Sequence, residues 1–234
     1  VSLTNNQAVG NGAGLYSHDA DLTVADLHVE GNSAQGMGGG VYLQGCGLTT
    51  TEGVVVTGNA ADSGGGLYAY YCHSTLEGWQ ITHNTGASRA GGVYVNYGEG
   101  RFTNWRVTGN TSDGNGGGLQ LYYFDGDLDH ALIAGNSAAA YGGGIYVGSY
   151  AYPRIYDSFI AGNTATNGGA GLHVAQSHPY LEQVSVVGNT TPGIAGGMWA
   201  GNYSDLDLMG VIVSHNQAPG GGGGIAVGNS TSVD

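Results

Sequence analysis

An asparagine returns about every 26 residues along the whole chain. It stands at Asn6, Asn32, Asn59, Asn84, Asn110, Asn136, Asn163, Asn189 and Asn216, with spacings of 25 to 27. An apolar residue directly after glycine keeps the same step, at Leu15, Val41, Leu67, Val93, Leu119, Ile145, Leu172, Met198 and Ile225. The two series stay nine residues apart, and eight once, so they belong to one repeated unit. Nine such units fill the 234 residues, so residues 1–234 read as one solenoid domain with no linker.

Each unit reads as three short extended segments. An alternating run precedes the asparagine, as in Leu27-His28-Val29 and Val211-Ile212-Val213. A second run starts at the apolar anchor, as in Val41-Tyr42-Leu43. A third apolar position lies eight residues before the next asparagine, at Val24, Thr51, Leu76, Phe102, Leu128, Ile155, Leu181 and Leu208. Glycine punctuates every turn, and 48 of the residues are glycine, which excludes a helical repeat. The pattern predicts an all-β fold, a single-stranded right-handed parallel β-helix of nine coils. Stacking at about 4.8 Å per coil gives a rod on the order of 40 Å long, and the crossover preference of parallel strands favours the right hand.

The asparagine column has a physical reason. Backbone groups at a tight bend cannot all pair with the neighbouring coil, and a stacked inward Asn bonds them and the next Asn side chain. The residue before each of these asparagines is Gly, Asn or His, the types that tolerate left-handed backbone angles. Phrases such as Val29-Glu30-Gly31-Asn32 followed by Gly39-Gly40-Val41-Tyr42 resemble the paired FxxN and GGAI repeats of chlamydial polymorphic membrane proteins. Val or Ile usually stands here in place of Phe. The resemblance spans every repeat and implies a secreted or surface-exposed passenger-type domain, often linked to adhesion; that family's C-terminal transporter barrel has no counterpart in this sequence.

Charge excludes several functions. The chain has 17 acidic residues against four arginines and no lysine, a formal net charge of −13. Nucleic acid and anionic membrane surfaces are therefore excluded as partners. No stretch approaches 18 consecutive apolar residues, so no transmembrane helix is expected.

Residues one repeat apart become vertical neighbours, so columns are the place to look for chemistry. Cys46 and Cys72 are 26 apart, and their α-carbons should fall within disulfide range, which predicts a disulfide and an extracellular compartment. An aromatic column follows the anchors, and with the adjoining loops it predicts an exposed strip of Tyr68, Tyr70, Tyr71, Tyr94, Tyr97, Tyr122, Tyr123, Tyr146, Tyr150 and Tyr152. Such a strip serves either as a stabilising ladder or as a face for sugars or a partner subunit. Arg101, Asp127 and Arg154 share one position in three consecutive repeats and predict a surface ion-pair ladder. Asp125, Asp127 and Asp129 alternate in a way that makes a weak calcium candidate. His130 stands where an EF-hand loop needs glycine, which rejects that motif. No cofactor is expected otherwise.

The histidines fall in different columns apart from His83 and His215, the carboxylates are spread along the rod, and no nucleophile motif is present. The expected function is therefore non-enzymatic: an extracellular structural or adhesive module that self-associates or meets other surface proteins. The alternative is a glycan-binding or glycan-degrading β-helix that uses the aromatic strip. Neither end of the sequence shows a polar cap, so the chain is expected to be part of a longer protein or to stack end to end into filaments.

Overall fold

The computed structural model describes residues 1–45, 47–50, 53–229 and 231–233. Every strand pair is parallel and joins one coil to the next, so the chain winds as a solenoid with three faces. The runs before the asparagines form a sheet of nine strands, from Ser2–Thr4 to Ile212–Ser214. The short runs after them form a sheet of seven, and the remaining segments form a sheet of 16. In two coils the second and third segments fuse into single strands of 11 residues, Leu67–Glu77 and Val93–Thr103.

The repeat sets the register. Val29, Val56, Ile81, Val107, Ile133, Ile160 and Val186 fall directly over one another and are fully buried. Period-2 alternation turns their neighbours outward, and these include Phe159 and Ile212, both exposed. In backbone register Val24 stands opposite Thr50; Thr51, expected in the third apolar column, lies outside the described residues. The repeat that ends at Asn59 is one residue longer than most, and this register puts its extra residue after Thr50. The interior also holds a short aromatic stack that the repeat does not announce: Trp79, Trp105, Phe102 and Phe124. Phe102 lies 4.4 Å from Trp105 and 5.4 Å from Phe124, and the Trp105 indole donates to the Leu76 carbonyl at 3.0 Å.

The asparagine ladder runs the length of the rod. In each coil the Asn backbone N–H donates to the next Asn Oδ1 at 2.9 Å. Its Nδ2 donates to the same Oδ1 at 2.9–3.0 Å. From Asn32 onward Nδ2 also donates to a carbonyl of the preceding coil, such as Val56 for Asn84. One amide thus satisfies the buried backbone at every bend. The residue before each asparagine has φ between +55° and +66°.

The glycine excess acquires a location as well. The glycine before each of the first eight anchors faces the next coil at contact distance. A Cβ on Gly118 would stand 2.6 Å from the Gly144 carbonyl oxygen and 3.0 Å from Asn136 Nδ2. Only hydrogen fits there, so the column Gly14, Gly40, Gly66, Gly92, Gly118, Gly144, Gly171 and Gly197 is a packing requirement, while Gly224, in the last coil, has ordinary space.

Candidate functional site

A second left-handed turn lies four residues after each of the first eight anchors. Its column begins Asp19 (φ +51°), Gly45 (+60°), Tyr71 (+51°), Tyr97 (+54°) and Tyr123 (+46°). Asp, Gly and Asn adopt this backbone at small cost, whereas a tyrosine is strained there by about 1 kcal/mol or more. Three consecutive coils nevertheless place tyrosine at it. Mutual stacking offsets the strain: Tyr71 and Tyr97 lie 4.8 Å apart with planes 13° from parallel, and Tyr97 and Tyr123 lie 4.2 Å apart at 2°. The ladder stands clear of the rod, with Tyr71 50% exposed and Tyr123 38% exposed.

Two residues further on, alternation brings His73, Glu99 and Asp125 to the same face in the same three coils. With Tyr71, Tyr97, Tyr123 and Gly98 they line a groove of about 210 Å³ along the rod. One wall is phenol rings and the other is two carboxylates and an imidazole. His73 Nδ1 lies 3.8 Å from Glu99 Oε2, and no arginine lines the groove. Partial loss of solvent raises the Tyr97 phenol above its usual range, helped by its hydrogen bond to Tyr123. The groove therefore offers apolar ring surface beside acceptor oxygens of negative charge. That combination suits hydroxyl-rich or ammonium-bearing ligands and repels carboxylated ones.

The ten-tyrosine strip expected from the sequence splits into two layers. Tyr68 and Tyr94 point away from the core yet are only 5% and 2% exposed. They pack with Tyr42 and Ala90 beneath Met37, Tyr70 and Tyr122, so they are not available to a ligand. Burial pushes the Tyr94 phenol up to about 12 and raises Tyr146 as well. This inner row is a chain of ring contacts from Tyr16, Tyr42, Tyr68 and Tyr94 through Tyr122, which bridges from the adjoining column, to Tyr146, His173 and Trp199; neighbouring centroids are 4.3–5.9 Å apart, with edge-on contacts from Tyr68 to Tyr146. Gln120 interrupts the column, fully buried, with neither amide atom hydrogen-bonded among the described residues. Tyr70 and Tyr122 are half-buried between the layers. Tyr150 continues the outer ladder at 6.3 Å with a 31° tilt, and Tyr152 stacks on His178 at 5.4 Å.

The charged candidates also rearrange. Arg154 Nε donates to Asp127 Oδ1 at 2.7 Å, as the shared position implies. Arg101 does not complete a ladder on Asp127; it crosses to the diagonal neighbour Asp129 at 2.5 Å. Asp127 is already engaged by Arg154, and a guanidinium reaches a diagonal partner easily. His130 Nδ1 contacts the other Asp129 oxygen at 2.6 Å. Burial works to raise the Asp129 pKa, but the hydrogen bonds from Arg101 and His130 prevail and hold it below the usual carboxylate range. Asp125 on the groove, Asp127 on Arg154, and Asp129 on Arg101 and His130 thus face three different surroundings. Among the described residues the group with ligand atoms within 4.8 Å of one another is Asp129, His130 and Asp157, and its central carboxylate is already taken by Arg101. Cys72 is buried, its Sγ 3.4 Å from the Tyr70 carbonyl. Cys46 lies outside the described residues, and so does its expected pairing with Cys72.

The sequence contained a signal for the groove. His73, Glu99 and Asp125 are spaced by 26 and 26. They escape a search by residue type, since each column of histidines or of acids alone looks broken.

Among the described residues no helix is long and apolar enough to cross a membrane. No curated protein and no solved structure matches the chain. A family model described as the right-handed beta helix region matches residues 13–125 and 91–234. With parallel coils of about 26 residues and no helix among the described residues, the chain belongs to the right-handed β-helix family.

Proposed function

We propose that the chain is a non-enzymatic, surface-exposed β-helical rod whose outer tyrosine ladder is an adhesive face for glycans. One observation carries this reading: three consecutive coils place a strained tyrosine where glycine or aspartate stands in the coils before them. Stacking lowers the cost of that choice without explaining why it is made, because Asp19 and Gly45 close the same turn without a ring. The resemblance to chlamydial surface passengers supports an extracellular setting, and self-association with other copies is compatible with it.

The test is affinity electrophoresis in gels containing neutral, amine-bearing or uronic-acid polysaccharide. Retardation by the first two and not the third is expected, with Tyr97→Ala and Tyr123→Ala abolishing it while the fold persists by circular dichroism. Free migration in all three gels refutes the adhesive face. The carboxylates beside the ladder favour one competing reading, glycan hydrolysis. Release of reducing ends by the wild type, lost in Glu99→Gln and Asp125→Asn, would replace a binding face with an active site.

A further inference from the structure

The tyrosine ladder has an open end. Asp19 N–H donates to the Gln44 carbonyl and Gly45 N–H to the Tyr70 carbonyl, each at 2.9 Å, so Asp19, Gly45 and Tyr71 stand directly over one another in successive coils. Within the ladder each ring covers the face of the next. The stack stops at Tyr71 because the next position is a glycine. Tyr70 is the other ring in contact, with centroids 4.5 Å from Tyr71 and 6.0 Å from Tyr97. With Tyr71 and Tyr97 themselves 4.8 Å apart, this triangle puts Tyr70 beside the stack, roughly at a right angle to its axis. It does not lie over the free face. Among the described residues no ring covers that face, and Tyr71 is accordingly 50% exposed while Tyr97, with a ring on each side, is half-buried.

Tyr71 and Asp19 are two coils apart, about 9–10 Å, which is the height of one missing ring layer. The backbone of Gly45 forms the back of the gap. An Asp19 carboxylate oxygen reaches into the space that a Gly45 side chain would need. The Asp19 side chain is 71% exposed, with His18 Nδ1 3.2 Å from its other oxygen. The result is an open position over Tyr71 in the Gly45 layer, with an aromatic face on one side and the Asp19 carboxylate at its inner edge.

We infer that this open position is a subsite for one pyranose ring of a neutral or amine-bearing glycan. The C–H face of the ring lies on Tyr71, and a hydroxyl or ammonium at its rim donates to Asp19. A pyranose matches both groups, since its flat face is apolar and its rim carries donors. A flat hydrocarbon ring leaves the carboxylate without a partner, and a uronic acid meets Asp19, Glu99 and Asp125 with like charge. The rest of the chain then runs along the groove between the phenols and His73. This assignment rests on the ladder being the glycan face.

Isothermal titration of the intact chain with three soluble oligomers tests it: glucosamine tetramer, its N-acetylated counterpart and a galacturonate tetramer. The expected order is the free amine first, the N-acetyl form second, and the uronate unbound. Tyr71→Asn keeps a residue that accepts the left-handed turn, so the variant is expected to fold, and it should bind at least fivefold more weakly. Asp19→Asn should retain the N-acetyl form and narrow the preference for the free amine, Glu99 and Asp125 keeping the remainder. Unchanged affinity in Tyr71→Asn, with binding lost in Tyr97→Ala, overturns the subsite and leaves the glycan face standing. A wild type that binds none of the three overturns both.

Discussion

His173 should make the rod acid-sensitive by a calculable amount. Its ring lies in the inner aromatic row, 5.0 Å from Tyr146 and 4.3 Å from Trp199, both nearly parallel to it, with Tyr141 at 4.6 Å. The residue is 5% exposed, and Nδ1 has no hydrogen-bond partner among the described residues. Burial drives the imidazole pKa down to about 3, against a smaller opposing effect of a hydrogen bond to the Gly168 backbone. The unfolded chain returns it to about 6.5. Because the folded value lies below the unfolded one, the unfolded state binds the proton first as the pH falls. The stabilisation is therefore complete above about pH 7 and is lost progressively as the solution is acidified toward the folded pKa.

Between pH 7 and pH 5 the unfolded imidazole goes from about one quarter protonated to almost fully protonated, while the folded one stays neutral. The linkage integral over that interval is about 2 kcal/mol. His173→Phe removes the titration and keeps a ring in the stack. Urea unfolding of both proteins, followed by the fluorescence of Trp199 against the mutated position, reads the difference. The wild type should lose about 2 kcal/mol more than His173→Phe on moving from pH 7 to pH 5; every other histidine is common to both and cancels. Equal losses in the two proteins, or an imidazole resonance of His173 titrating near pH 6.5, would refute the reasoning.

Asn110→Ala should destabilise by about 4 kcal/mol in the same assay, because it orphans the Asn84 N–H, the Asn84 amide and the Ile81 carbonyl, at roughly 1–3 kcal/mol each; a loss below about 1 kcal/mol would mean that the bend is held by backbone pairing alone. Gly118→Ala has no open space, with its Cβ 2.6 Å from the Gly144 oxygen, and should cost about 1–3 kcal/mol or lower the soluble yield. Asp129→Asn should flatten the acid limb of stability below the usual carboxylate pKa. The Asp129 contribution is present above that value and is lost as pH falls through its lowered folded pKa. Since the Arg101 side chain is 56% exposed, the effect at neutral pH should stay under about 1 kcal/mol.

Much of the fold was legible because it is written in columns of constant type. Asn must be Asn in every coil, since its amide serves the bend and the next amide at once. Gly must be Gly before each of the first eight anchors, since the next carbonyl fills the space a Cβ would occupy. The inner and outer tyrosine layers were not legible for a definite reason. Period-2 alternation states which side of a strand Tyr68 and Tyr94 occupy, and says nothing of what lies above that side. What covers them is Ala90, Met37, Tyr70 and Tyr122, which arrive from other parts of the coil. Arg101 was misassigned for a similar reason, since register fixes the Cα partner Asp127 while a long side chain selects the diagonal Asp129.

The difference between the two kinds of column also bears on function. A column that the coil geometry demands cannot change along the rod, as the nine asparagines show. The left-handed turn demands only a residue that tolerates it, and the chain meets that demand with Asp19, Gly45 and Gln176 without a ring. Tyr71, Tyr97 and Tyr123 therefore occupy a position where geometry leaves the choice open and even opposes tyrosine. The neighbouring column brings His73, Glu99 and Asp125 beside them, and it carries charged or titratable groups elsewhere too, at Asp21, His178 and Asp205. A run of strained tyrosines confined to one stretch of about 15 Å, where the coil itself does not require them, is what a local binding function imposes on a repetitive scaffold. A purely structural aromatic ladder would gain most from running along most of the rod, as the inner row does from Tyr16 to Trp199 with one break at Gln120.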